Sequence, residues 1–414
     1  MGLDFSRLRF DARKDFLGVL MQQGRVQLDS DWNDWVAELA RRIQAGSLDT
    51  VGPAVVPRET PDGFLIEAAG GALTIGAGRM YVDGLLVENH GAPPADEWNR
   101  RLAELTSTNP VDYTAQPYLP NPPTLPAAAG PHLVYLDVWQ REIGHLQDKS
   151  LVESAVGVDS TGRLQTVWQV KVLADVGNVT CGTDDTDIPK WPETIRPSGA
   201  RLSTSTGSLP EPPDPCQVPP GAGYLGLENQ LYRIEIHTPG PTGTATFKWS
   251  RDNATVATRV THINTAGDQL TVESIGRDDV LRFNDGDWIE VTDDWRELHN
   301  LPGELRRIKL AGGVDDATRT IELESPVTVG LFPVDPQNAT DPQRHTLIRR
   351  WDQGGQVREE DGTAYTDLDA AQYLQWSDDE VSEMIETSQL TLVGDDLLHV
   401  ERHYSTNGMA RSRG

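Results

Sequence analysis

The chain of 414 residues carries a formal net charge of -27. That charge argues against duplex DNA and anionic lipid as partners, because both repel so acidic a surface before contact forms. The length exceeds one ordinary core, so about two to four domains are expected, and 38 Gly, 28 Pro and 11 Trp favour β-rich modules joined by turns over a helical bundle.

Near the N-terminus, Val19, Met21, Gln23 and Arg25 alternate against Leu20, Gln22 and Gly24 with the period of a strand. Apolar residues then recur at Trp32, Trp35, Val36, Leu39, Ala40 and Ile43, the spacing of one helix face. Asp29 or Ser30 suits the cap, Asp31 and Asp34 suit the positive end of the helix dipole, and Gly46 suits the stop. A strand handing over to a docking helix is the expectation.

Phe64–Ile66, Leu73–Ile75 and Arg79–Val87, punctuated by Gly70-Gly71 and Gly76, predict a small β-meander with a hairpin at Asp83-Gly84. Residues 1–90 thus read as a docking region. Residues 91–131 are rich in Pro, Ala and Asn and read as a linker or excursion. In 132–176, Val134, Leu136 and Val138 alternate against Leu133, Tyr135, Asp137 and Trp139, and Thr166–Leu173 repeats that texture, so a strand pair is expected.

Residues 177–222 lack periodicity and read as an irregular insertion. Residues 223–335 predict a sandwich or barrel-like domain, with strands at Ala254–Val260, Gln269–Ser274, Trp288–Thr292, Leu305–Leu310 and Thr320–Leu323. Residues 336–414 form a C-terminal region containing Leu347–Asp352 and ending in a flexible tail from Ser405. The expected fold class is mainly β: several small β-sandwich or barrel-like modules with a short N-terminal α-helix and long Pro/Gly-rich loops.

Composition bounds the setting. Among 36 basic residues only Lys14, Lys149, Lys171, Lys190, Lys248 and Lys309 are lysines, a skew that a GC-rich genome or adaptation to high salt would each produce. Met1–Arg13 lacks the apolar core of a leader and no run approaches a membrane span, so synthesis in the cytoplasm without a signal peptide is expected.

Motifs for chemistry are sparse. Asp29, Asp31 and Asn33 match the first half of a calcium loop, but Asp34 stands where glycine is required and Ala40 where a bidentate Glu should sit, so helix capping accounts for them better. His399, Glu401 and His403 would share a strand face as a two-His, one-carboxylate set, a pattern that alternation alone also produces. Cys181 and Cys216 lie in adjacent loop-like stretches and could form a disulfide or stand as two free thiols. The chain has no Gly-x-Ser-x-Gly elbow, Walker loop or dinucleotide fingerprint. No catalytic residue, metal site or cofactor is therefore expected. Carboxylate pairs among 63 acids still leave glycoside cleavage open. Trp139, Trp168, Trp249 and Trp351 could offer sugar platforms, although burial in a core or interface is the commoner use of Trp.

The string QQGRVQLDSDWND at 22–34, DTVGP at 49–53, GRMYVDGLLVEN at 78–89, GLENQLYRIEIH at 226–237 and FKWSRDNA at 247–254 together resemble an uncharacterised family, the DUF6519 domain proteins. The resemblance implies an association with phage tails and phage-tail-like contractile injection systems, hence a structural component of a baseplate or tail fibre. It supplies no established catalytic residues. Under it the expected partners are other baseplate or tail proteins and further copies of the chain, in a virion or extracellular particle. The assembly interface would be built from Trp32, Trp35, Val36, Leu39 and Ile43 of the helix and Tyr81 and Leu85 of the hairpin, through apolar burial. The alternative is a carbohydrate-binding or carbohydrate-cleaving module that recognises a glycan on a target cell surface.

Overall fold

The computed structural model describes residues 3–6, 10–92, 108–127, 130–180, 182–196, 231–239, 246–332 and 344–352, and backbone strands between 356 and 392. Cys181, Cys216, His399, Glu401, His403 and the tail from Ser405 lie outside the described residues. The protein is mainly β, with several small sheets and an N-terminal helix, and among the described residues no closed barrel forms. It divides into two compact units: Leu8–Ile143 with Arg163–Ser198, and Met1–Arg7, Gly144–Gly162 and Gly199–Asn407.

In the first unit, residues 15–28 are irregular apart from a turn at Gln23-Gly24, where the Arg25 N–H donates to the Gln22 carbonyl at 3.2 Å. The strand expected there does not form. A ladder needs a neighbouring strand, and none pairs with this segment among the described residues. Helix α1 follows over Asp29–Val51. Leu28 is its N-cap, and its N–H donates to the Asp31 carboxylate at 3.1 Å. Gly46 does not stop the helix; the chain turns out at Gly52, in the left-handed half of the map, where the N–H still reaches the Leu48 carbonyl at 2.9 Å.

The strands that follow are β1 (Ala54–Val55), β2 (Ile66–Ala69), β3 (Ala72–Ile75), β4 (Gly78–Val82), β5 (Leu85–Asn89) and β6 (Val111–Asp112). They form two antiparallel sheets, β1-β4-β5 and β2-β3-β6, where one meander was expected. The two-residue Asp83-Gly84 turn of β4–β5 has positive φ at both positions, the type I′ geometry that matches strand twist.

A ribbon of β7 (Leu133–Ile143) and β10 (Arg163–Leu173) completes this unit, paired antiparallel along its full length. The expected strand pair therefore forms. Val138, Trp168 and Val170 on one face join Phe64, Ile75 and Val87 in a core. Leu133, Tyr135 and Leu173 pack against Val176, Ile188 and Trp191, the last opening helix α2 (Trp191–Ile195). Described residues of the Pro-rich excursion are fastened to the ribbon: the Gln116 side chain accepts from the Val170 N–H at 2.7 Å and donates to the Val170 carbonyl at 3.0 Å.

The second unit holds β8 (Val152–Glu153) and β9 (Val158–Asp159), which pair as a small hairpin. It continues with β11 (Arg233–Thr238), β12 (Thr246–Ser250), β13 (Ala257–Ile263), β14 (Gln269–Val272), β15 (Trp288–Thr292), helix α3 (Asp294–Leu298), β16 (Glu304–Arg307), β17 (Val314–Asp315), β18 (Thr320–Glu322) and β19 (Leu347–Trp351). A seven-stranded antiparallel sheet runs in the order β16-β15-β19-β13-β14-β18-β17. One bridge, Ile308 to Leu323, draws β16 toward β18 without closing a barrel. Its apolar face buries Leu270, Phe283, Ile289, Val291, Ile321 and Ile348. The sequence assigns β19 to a C-terminal region; in the structure it inserts between β15 and β13. After β20 (Gln356–Arg358) and β21 (Ala364–Asp367), β22 (Leu374–Gln375) pairs with β12 in a separate sheet, β11-β12-β22.

Candidate functional site

Helix α1 is amphipathic in an inverted sense. Its buried residues are Ser30 and Glu38, and the inward Glu38 lies beside Asp11, Asp15, Arg41 and Arg42. The Gln44 side-chain amide donates to the Asp83 carbonyl at 3.0 Å, so the hairpin tip is held by the polar side of the helix. The apolar stripe faces away: Trp32 is 55% exposed, and Trp35, Val36, Leu39 and Ile43 are exposed as well. The Trp32 and Trp35 rings meet edge to face, with centroids 5.2 Å apart and planes at 70°. The preceding arm exposes Phe16, Leu17, Leu20, Met21 and Val26 and passes the stripe at Gly18, where a Cβ would sit 3.7 Å from the Trp35 ring. Water-exposed apolar side chains in one stripe mark a surface that gains free energy when covered.

Of the predicted interface, the helix residues share this open stripe. The hairpin residues do not join it equally: Tyr81 is half-buried, and Leu85 is half-buried with its side chain packed on the Phe64–Trp168 core. The half calcium loop lies in the first turn of α1, where Asp31 accepts a cap hydrogen bond.

The second unit holds a buried ion layer. Alternate residues of β11 and β12 turn Arg233, Glu235 and Lys248 inward, and the side of the seven-stranded sheet opposite its apolar face contributes Glu290, Arg349 and Trp351, all buried. The Lys248 Nζ lies 2.5 Å from Glu290 Oε2 and 4.0 Å from Glu235 Oε1, and it stands 4.6 Å above the Trp351 ring. Arg233 Nε is 3.1 Å from Glu235 Oε2. Glu290 also accepts from the Gly303 N–H at 2.9 Å and from the Trp351 indole at 3.1 Å.

Burial alone would raise the Glu235 carboxyl, but the Lys248 ammonium and Arg233 guanidinium together outweigh it and hold the group below the usual range. Glu290 is held low as well: burial opposes ionisation, and the charge and hydrogen bond of Lys248 together with His237 outweigh it. His237 is pushed down to about 4, first by burial and then by Lys248. A glycosidase acid needs a carboxyl with a raised pKa, and neither glutamate offers one. Lys248 of the β11-β12-β22 sheet thus meets Glu290 of the seven-stranded sheet in a buried ion pair.

A family model described as a family of unknown function, DUF6519, matches residues 1–181 and 196–410. The chain belongs to the DUF6519 family. No curated protein and no solved structure matches it. In this DUF6519 protein two of the strings that carry the resemblance, GLENQLYRIEIH and FKWSRDNA, supply Arg233, Glu235, His237 and Lys248 of the ion layer. Sequence reasoning missed that layer. The alternation Arg-Ile-Glu-Ile-His was the available signal, but period two does not say which face is inward.

Proposed function

We propose that this protein is a structural component of a phage tail or contractile injection particle, at the baseplate or in a tail fibre, acting through protein–protein assembly. The observation that carries the assembly reading is the outward apolar stripe of α1, Trp32 to Ile43, on a helix whose polar side is the one held by its own unit. The family resemblance supplies the particle. Partners under this reading are other baseplate or tail proteins and further copies of the chain.

Less supports the glycan alternative. Trp139, Trp168, Trp249 and Trp351 are buried, and the exposed Trp32 and Trp35 rings stand at 70°, whereas a sugar platform presents flat, coplanar faces. The test is to purify particles from the producing cell with the wild-type chain or the Trp32→Ala/Trp35→Ala variant and to examine them by cryo-electron microscopy and peptide mass spectrometry. Density for the wild-type chain in the particle, and loss of the folded variant from it, are expected. Particles that never contain the chain would overturn the reading.

A further inference from the structure

We infer that α1 pairs with the α1 of a second copy of this chain, antiparallel and about a two-fold axis. This rests on the assembly reading above and names the partner of its surface. Three observations lead there.

The first is extent. The stripe of α1 and the arm from Phe16 to Leu28 leave on the order of 1,000 Å² of apolar area open, against ~800 Å² per partner in a standard interface. Within the stripe, Leu28, Trp32, Trp35 and Leu39 recur three and four residues apart, the seam along which two helices interlock.

The second is the chain's own charge. At -27 per copy, two copies repel wherever carboxylates are dense. Between Asp15 and Asp29 the arm has Arg25 as its one charged residue, and Trp32, Trp35, Val36, Leu39 and Ile43 are uncharged. Self-association is therefore directed to this surface.

The third is the charge order along α1. Its N-terminal half carries Asp29, Asp31 and Asp34 besides the buried Glu38 and no base, while Leu39–Val51 carries Arg41 and Arg42, both exposed, against Asp49. A parallel pair would set acids on acids. With Val36 near the axis, an antiparallel pair sets Asp31 of each helix opposite Arg41 of the other and opposes the two helix dipoles. Such a helix is complementary to itself, and a two-fold contact of this kind closes on two copies.

The test uses the full chain. Sedimentation velocity of the wild type should show a reversible dimer at micromolar concentration, and Leu39→Asp, at an exposed position, should weaken it by about tenfold or more with unchanged circular dichroism. Orientation is read by mild oxidation of Val36→Cys and Ile43→Cys variants, with linked peptides mapped by mass spectrometry. Near the axis Val36→Cys should link to itself; Ile43→Cys should not, because the antiparallel arrangement carries the two sites apart beyond the ~7 Å Cα limit of a disulfide. A monomeric wild type, a dimer indifferent to Leu39→Asp, or an Ile43 self-link would each overturn the pairing. A monomer that still requires Trp32 and Trp35 to join the particle would overturn the pairing and leave the assembly reading standing. A dimer absent from every particle would do the reverse.

Discussion

The Gln44 side chain donates to the backbone carbonyl of Asp83 at 3.0 Å, so the polar side of α1 grips the tip of the β4–β5 hairpin. Gly84 makes that approach close: a Cβ there would lie 2.1 Å from the Gln44 carbonyl oxygen, on a residue with φ of 76°. Gly84→Ala should therefore cost about 2 kcal/mol or more through strain and collision. Gly70→Ala, also at positive φ but with nothing within 4 Å, should cost about 1 kcal/mol. Thermal denaturation of the two variants compares them directly; equal losses would show that the grip is loose.

Lys248→Met should be among the most damaging substitutions in the second unit. It leaves Glu235 and Glu290 buried without their shared cation, a fault worth about 3–5 kcal/mol. Adding Glu290→Gln should restore part of the loss, with a coupling energy above ~1 kcal/mol in a double-mutant cycle. Urea denaturation followed by tryptophan fluorescence reads this, since Trp351 lies under the lysine. Additive losses would mean that the pair does not act as one element.

Acid should weaken the same unit before the carboxylates are protonated. His237 takes up its proton only near pH 4 when folded, and near its ordinary value of 6.5 when unfolded. Between those values the unfolded state binds more protons, so stability falls as pH drops from about 6.5 to about 4, by roughly 3 kcal/mol at most. Glu235 and Glu290, held low when folded, add their loss at lower pH still. His237→Gln should flatten the profile between pH 6.5 and 4 in denaturation experiments. A variant with the wild-type slope would place the effect elsewhere.

Trp32→Ala and Trp35→Ala should leave the stability of the dilute monomer within about 0.5 kcal/mol of wild type, because both side chains are exposed. A loss of several kcal/mol in calorimetry would show that the chain itself covers the stripe.

Local pattern predicted the elements that local physics determines. The Asp83-Gly84 hairpin was legible because the dipeptide suits a type I′ turn, and the β7–β10 ribbon because both strands alternate over their length. The stripe from Trp32 to Ile43 was legible as a helix face, but its direction was not, since amphipathicity ordinarily points an apolar stripe inward and only the seat of Gln44 and Glu38 reverses it. Residues 19–25 alternate like a strand yet pair with no strand among the described residues, because alternation describes side chains and a strand needs a neighbour's backbone. Leu347–Trp351 escaped assignment to its sheet for a related reason: its partners, Ala257–Ile263 and Trp288–Thr292, lie far away in sequence.

The β7–β10 ribbon also bears on how the protein can be divided. Its two strands belong to one unit while the residues joining them, Gly144–Gly162, belong to the other, so the chain leaves a half-built ribbon, contributes to a different body, and returns to finish it. A truncation at any point between Ile143 and Arg163 leaves Val138 and Trp168 on separate polypeptides. Fragments expressed from either side of that point should stay insoluble alone and recover structure when co-expressed. The ribbon of this unit is thus completed only after residues 144–162 have been made, so both of its strands are needed before Val138 and Trp168 can share a core.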